Sequence, residues 1–189
     1  MKDQSLENNH KLRIAIFSSA SQEIEQQNIS LSDQIGELLA KHDVTVVTGG
    51  STGIPARVVE SAKEHGGKTI MFSPDSDHTT HQERHDNHSM DFYDSIFFGE
   101  GFTERSLRMI QNIDGAIVLN GRTGTLSEFT IAVEEGVPVA VITGTGGISD
   151  HLSHILDIID KEFPEEVFFG NDYQEQIRKL ISHLEPQSM

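Results

Sequence analysis

The chain's most suggestive stretch for chemistry is Asn120-Gly121-Arg122-Thr123-Gly124-Thr125, which follows an apolar run and leads within a few residues to Glu128. Small residues let backbone N–H groups approach an anion closely, and the N-terminus of a following helix adds partial positive charge. The same device recurs at Thr48-Gly49-Gly50-Ser51-Thr52-Gly53 and at Thr143-Gly144-Thr145-Gly146-Gly147, each after an apolar run and before a helical pattern. A fourth apolar run ends in the hydroxyl-rich Ser18-Ser19-Ala20-Ser21. One glycine-rich turn is ordinary turn chemistry. Several on one edge of a sheet point to the phosphate of a nucleotide-like ligand. The candidate phosphate contacts are Ser18, Ser19, Gly49, Gly50, Gly53, Gly121, Arg122, Thr123, Gly124 and Thr125. None of the turns has the form G-x-x-x-x-G-K-[ST], which argues against a nucleoside-triphosphatase P-loop.

Two charged residues stand out beside these turns. Arg105 falls in the first turn of a helix that Thr103 would cap, where a cation opposes the helix dipole. Either it is a solvated arginine paired with Glu100, Glu104 or a neighbouring helix, or it is aimed at an anionic ligand. Glu128 also has two readings. Thr125-Leu126-Ser127-Glu128 fits a capping box, and the same carboxylate would stand at the mouth of the anion site. His78, His81, His85 and His88 share a helical face and could hold a divalent ion, but a solvated polar rim accounts for them more simply, so no metal is expected.

Parallel strands and helices must position these groups. Leu12–Ser18, Val44–Thr48, Lys68–Ser73, Ser95–Phe98, Gly115–Asn120, Val137–Thr143 and Val167–Phe169 read as strands. Amphipathic helices separate them at Ser30–Lys41, Pro55–His65, Thr103–Ile113, Thr125–Glu135, Ser149–Asp160 and Asp172–Leu184, with Ser30, Thr103, Thr125 and Ser149 as capping residues. Strands that are continuous apolar runs between helices indicate a doubly wound, mostly parallel sheet, a Rossmann-like three-layer α/β/α domain. That domain spans 11–185, with flexible termini at 1–10 and 186–189. The His-rich stretch Pro74–Asp91 is long for a connection and reads as a lid, rim or disordered loop. Met71, Met90 and Met109 read as core filler.

Composition narrows the partners. Asp and Glu number 30 against 14 Lys and Arg, a formal net charge of −16, which disfavours nucleic acid and anionic membranes. There is no cysteine, no apolar run near the roughly 20 residues of a membrane span, and a polar N-terminus; a cytoplasmic protein is expected.

Arg105-Ser-Leu-Arg-Met109 followed by Asp114-Gly-Ala-Ile-Val-Leu-Asn-Gly-Arg-Thr-Gly-Thr-Leu-Ser-Glu128 resembles the paired signature of the LONELY GUY (LOG) family, nucleoside 5′-monophosphate phosphoribohydrolases often labelled lysine decarboxylases. Thr48–Gly53 resembles that family's upstream glycine-rich turn, and the likeness spans roughly residues 12–150. Molybdenum-cofactor carrier proteins share the fold and most of these glycines. The resemblance implies Arg105 and Glu128 as the catalytic pair and Gly121, Thr123, Gly124 and Thr125 as the phosphate loop. It implies hydrolysis of a purine nucleotide, N6-modified ones included, to free base and ribose 5-phosphate, without a cofactor, in a homodimer. A nucleotide or molybdenum-cofactor carrier is the alternative. A pyridoxal-phosphate decarboxylase ranks third, since no Lys sits at a strand end. The sequence departs from the family at Asn120 (Pro), Arg122 (the second Gly), Ser106 (Lys) and Ser18-Ser19, where the family has Gly. An Arg forced to φ > 0 at position 122 would cost about 1–2 kcal/mol. Either the loop takes another path or Arg122 contacts the ligand.

Overall fold

The computed structural model describes residues 11–21, 23–85, 90–99, 101–159 and 166–185. The termini expected to be flexible, and with them His88 and Glu100, lie outside the described residues. All of the expected strands form: β1 Arg13–Phe17, β2 Thr45–Thr48, β3 Lys68–Phe72, β4 Ser95–Phe97, β5 Gly115–Leu119, β6 Val139–Ile142 and β7 Val167–Gly170. They make one seven-stranded sheet in the order β4-β3-β2-β1-β5-β6-β7. Every pairing is parallel, with β1 at the centre between β2 and β5.

The helices are α1 Gln26–Lys41, α2 Ile54–Glu64, α3 His78–Arg84, α4 Phe102–Ile110, α5 Thr123–Glu134, α6 Leu152–Ile159 and α7 Tyr173–Leu184. Side chains alternate across a strand, so each strand feeds two cores. Ile14 and Ile16 of β1 pack with Ile35 and Leu39 of α1, Val58 of α2 and Leu180 of α7. Ala15 and Phe17 pack on the other face with Met109 of α4, Phe129 of α5 and Leu152 of α6. Helices on both faces explain why the strands read as unbroken apolar runs.

Four capping assignments from sequence need correction. α1 starts at Gln26, upstream of Ser30, and Thr103, Thr125 and Ser149 also lie inside their helical segments. Gly53, Gly101 and Arg122 precede α2, α4 and α5, and none of the three helices has a side-chain cap. By contrast Asp77 caps α3 through Thr80 N, and Asp172 caps α7 through Gln174 N and Glu175 N. The first N–H groups of a helix have no partner within it. At the starts of α2, α4 and α5 the residue before the helix offers them no side-chain acceptor, and in α2 Ile54 N donates to Ser19 O instead. The stretch expected to be a lid or rim also differs: it folds into α3 and a 3-10 turn at Met90–Phe92.

Candidate functional site

In an open parallel sheet, the crevice lies where the winding direction reverses, outside the carboxyl ends of the strands. Here that point is between β1 and β5. The Ser18 hydroxyl donates to Leu119 O across the two strand ends. Beyond them opens a cleft of about 360 Å³, within the roughly 300–1,000 Å³ of small-molecule sites. Of the residues expected from sequence, it brings together Ser18, Ser19, Gly49, Arg105, Arg122, Gly124, Thr125 and Glu128. Phe102, Pro55 and Ser51 also line it. Sequence reasoning passed over Phe102, although it lies three residues before Arg105 on the same helix, a spacing that shares a face.

Arg105 and Glu128 meet across α4 and α5. Arg105 Nη1 donates to Glu128 Oε1 at 2.7 Å, and the Ser106 hydroxyl donates to the same oxygen at 3.3 Å. Both members of the ion pair are nearly buried. Arg105 is paired on the neighbouring helix, and Glu128 turns inward, so there is no capping box. Both contacts of Glu128 fall on Oε1, and no described residue bonds Oε2. Arg105 Nε is buried with no acceptor among the described residues. An unmet buried donor costs about 1–3 kcal/mol. Burial pushes the Glu128 carboxyl above its ordinary value, and the opposing pull of Arg105 and Ser106 does not cancel it. Ser106, noted from sequence only as a departure, is therefore part of the pair's setting.

Gly49 makes room for this arrangement. A Cβ there would fall 1.8 Å from Arg105 Nη1. Gly53 is required by the backbone instead. Its φ is 78°, and a Cβ would meet Ser19 O at 2.5 Å and Ser21 O at 2.6 Å. Gly50 and Gly53 thus shape the turn from behind and do not line the cleft, contrary to a direct contact role.

The loop after β5 takes its own path. The left-handed residues are Asn120, φ 52°, and Gly121, φ 97°. Asn tolerates that region better than most residues. Here Asn120 N donates to Thr145 Oγ1 at 2.7 Å, its Nδ2 to Thr145 O at 2.8 Å, and its Oδ1 accepts from Gly121 N at 2.7 Å. Arg122 is extended, φ −131°, so the strain considered for it does not arise. It precedes α5 and is exposed, as are Thr123 and Gly124, while Thr125 is buried. A Cβ on Gly124 would meet nothing within 4 Å. Gly121 lies deeper, beside a smaller hollow of about 250 Å³ that adjoins Arg122. A larger hollow of about 960 Å³ lies at the opposite end of the sheet, against Leu12, Asp114 and Pro138. It faces the amino ends of the strands, where open parallel sheets do not place ligands.

The histidines are not a solvated rim. His81 is wholly buried, and its Nδ1 lies 3.1 Å from Asp75 Oδ2. His85 Nε2 lies 3.0 Å from the same oxygen. Of the described histidines in the Pro74–Asp91 stretch, His78 is exposed.

A family model described as SLOG cluster4 matches residues 11–182. The chain belongs to the SLOG cluster4 family. That bears out the superfamily reached from Arg105, Glu128 and the glycine-rich turns. An uncharacterized protein of Archaeoglobus fulgidus is 26% identical over 118 residues, 62% of this chain and 72% of its own. Among solved structures, the structural-genomics protein TM1055 superposes with a TM-score of 0.74 at 22% identity, over 91% of this chain and 99% of that one. The molybdenum cofactor carrier protein of Chlamydomonas reinhardtii superposes at 0.72 and 20% identity, over 92% and 98%. At such identities the structural likeness carries the fold, which this SLOG member shares. Among the described residues no helix is long and apolar enough to cross a membrane.

Proposed function

We propose that the cleft binds a purine nucleoside 5′-monophosphate and hydrolyses its N-glycosidic bond. The buried Arg105–Glu128 pair, set opposite the uncapped start of α5 at the switch point of the sheet, carries this reading. The free N–H groups around Thr123, Gly124 and Thr125 receive the 5′-phosphate. The C1′–N bond then breaks through an oxocarbenium-like state, as in glycoside hydrolysis. Glu128 stabilises the positive charge on the ribose and orients a water whose oxygen bonds to C1′. That water gives up one proton as its oxygen bonds to C1′, Glu128 takes it up, and it passes to the departing base, so that free base and ribose 5-phosphate leave and the carboxylate is restored. Arg105 holds Glu128 in place and offers its unmet Nε to the ligand. With 30 acidic residues against 14 basic ones, the partner is a single nucleotide, drawn by Arg105 and Arg122, and not a polynucleotide. A homodimer built through the helices beside the cleft belongs to the same reading, and light scattering at micromolar concentration tests it.

One observation favours a second reading, a binding or carrier protein that does not cleave its ligand. Arg122 stands exposed at the cleft where the LOG pattern has a glycine, and the structural relatives include a protein named as a molybdenum cofactor carrier. Incubation with AMP and with N6-modified AMP separates the two. Free base and ribose 5-phosphate support hydrolysis. Saturable nucleotide binding with no base released overturns it in favour of the carrier. Absence of binding sinks both.

A further inference from the structure

We propose that Asp75, His81 and His85 bind a divalent transition-metal ion of the zinc class, at a site separate from the nucleotide cleft. Three potential ligand atoms, one from each residue, lie within 4.8 Å of one another. Asp75 Oδ2 stands 3.1 Å from His81 Nδ1 and 3.0 Å from His85 Nε2. Ligands held about 2.0–2.2 Å from a tetrahedral zinc stand roughly 3.3–3.6 Å apart, so Asp75 Oδ2 has to draw only a few tenths of an ångström away from each imidazole nitrogen to admit the ion. Imidazole nitrogen and carboxylate oxygen are the donors zinc takes, and three protein ligands leave a fourth position for water.

The cluster is built in advance. Asp77 caps α3, and on that helix His81 and His85 are one turn apart with their ring centroids 4.5 Å from each other. The Asp75 backbone is fixed at both ends, its N–H on Ser73 Oγ at 3.0 Å and its carbonyl on Gly99 N at 3.0 Å. Around the ligands stands a supporting shell of the kind that orients metal sites. Arg84 Nη1 holds Asp75 Oδ1 at 2.9 Å, which leaves Oδ2 to face the imidazoles. Ser73 Oγ, 2.9 Å from His81 Nδ1, shares that nitrogen with Asp75 and would yield it to the ion. Asp75 and His81 are buried while His85 is partly open, so an ion has a way in. The overall charge of −16 attracts cations.

The ion would brace one wall of the cleft without touching it. A Cβ on Gly50 would meet His81 Cε1 at 2.9 Å, and the adjoining Gly49 backs Arg105. Pro74 O accepts from Gly101 N at 2.7 Å, which ties the same connection to the start of α4.

The test is a calorimetric titration of the chelator-treated full chain with zinc, beside a cobalt(II) titration followed by visible absorption. The expected result is one ion per chain, with His78→Ala binding as the parent does. His85→Ala should weaken zinc by more than about 100-fold, since even outer-shell partners are worth 10–100-fold. No stoichiometric binding by the parent, or parent-like affinity in His85→Ala, overturns the proposal. Should His85→Ala fail to fold, X-ray absorption of the zinc-loaded parent decides. Two imidazoles on the ion are required, and a shell without them overturns the site.

Discussion

Asp75 and Glu128 are both buried carboxylates, and the Gly49-Gly50 turn packs against the partners of each. The protein treats them differently. Both oxygens of Asp75 are engaged from within the described residues, by Arg84, His81 and His85. Glu128 has two contacts on one oxygen, and beside it lie an arginine Nε without an acceptor and a helix start without a cap. Around Asp75 folding already sets the groups against one another, so a cation entering there replaces contacts that the chain itself makes. Groups left short at the mouth of a cleft are the mark of a site whose last partner comes from outside.

The sharpest way to break this contrast is to neutralise each carboxylate in turn. Glu128→Gln is expected to slow base release by at least about 100-fold, the scale of losing one electrostatic stabiliser of a transition state. Nucleotide affinity should stay within a few-fold and the melting temperature close to the parent's. Asp75→Asn should do the reverse. It turns one of the two acceptor oxygens into an NH2 group and removes the charge, so either Arg84 or the imidazole pair loses its acceptor, at a cost of about 1–3 kcal/mol. At roughly 2–4 °C per kcal/mol for a chain of this size, the loss is visible in a thermal melt. A Glu128→Gln variant that melts several degrees below the parent, with normal turnover per folded molecule, would reverse the assignment.

Gly49 and Gly53, the first and last glycines of the turn after β2, sharpen it next. In Gly49→Ala the new methyl group collides with the far end of a flexible side chain, Arg105 Nη1. Arg105 must swing aside, so affinity for AMP should fall about 10- to 100-fold, the worth of a charge-assisted contact, and stability should fall only through the weakened pair with Glu128, less than in Gly53→Ala. In Gly53→Ala the methyl group meets backbone carbonyls at a positive φ, and nothing can swing. That variant should lose about 2 kcal/mol or more of stability. Equal effects of the two on melting temperature would show that Gly49 serves the turn and not Arg105.

The ion pair itself gives a pH signature. The folded-state value of Glu128 lies above its unfolded value, so between the two the native chain holds the extra proton. Stability tied to this group is therefore complete below the unfolded value and falls as pH rises through the folded one. Arg105→Ala removes the cation that restrains the shift and widens that window upward. The variant should be about 1–3 kcal/mol less stable than the parent near neutral pH and nearly equal to it at about pH 4, where the carboxyl is protonated in both states. Adding Glu128→Gln to Arg105→Ala should remove the difference, as read from urea midpoints across pH.

Strands were legible in the sequence because each is a short apolar run with turn residues after it, and the parallel sheet followed from their continuity. Helix starts were not. Thr103 and Thr125 are good caps by type, yet glycine-rich turns feed α4 and α5 directly, so the helices begin earlier and uncapped. The Arg105–Glu128 pair was legible only as two residues with separate roles, because their contact depends on how α4 packs against α5. The Asp75 cluster was read as a rim because a polar, His-rich segment looks solvated when the burial of one histidine beneath it cannot be seen.

Arg122 carries the smallest expected effect and tests where the site ends. It was the departure that sequence reasoning could least place, since a glycine in this loop suggests a backbone that an arginine resists. The structure moves the left-handed residues to Asn120 and Gly121 and leaves Arg122 extended, so replacing it relieves no strain. Glycine is also tolerated at the position before a helix. Arg122→Gly should therefore leave the melting temperature unchanged, and any effect on ligand reads out the side chain alone. That side chain is exposed beside both the cleft and the adjoining hollow, where its planar fork can pair with a phosphate or stack on a base. A contact in reach of solvent is worth about 1 kcal/mol or less. The expected outcome is a loss of about 2- to 5-fold in affinity, unequal between AMP and its N6-modified form if Arg122 meets the base and equal if it meets the phosphate. Unchanged affinity for both would place Arg122 outside the site and end the cleft at Gly124.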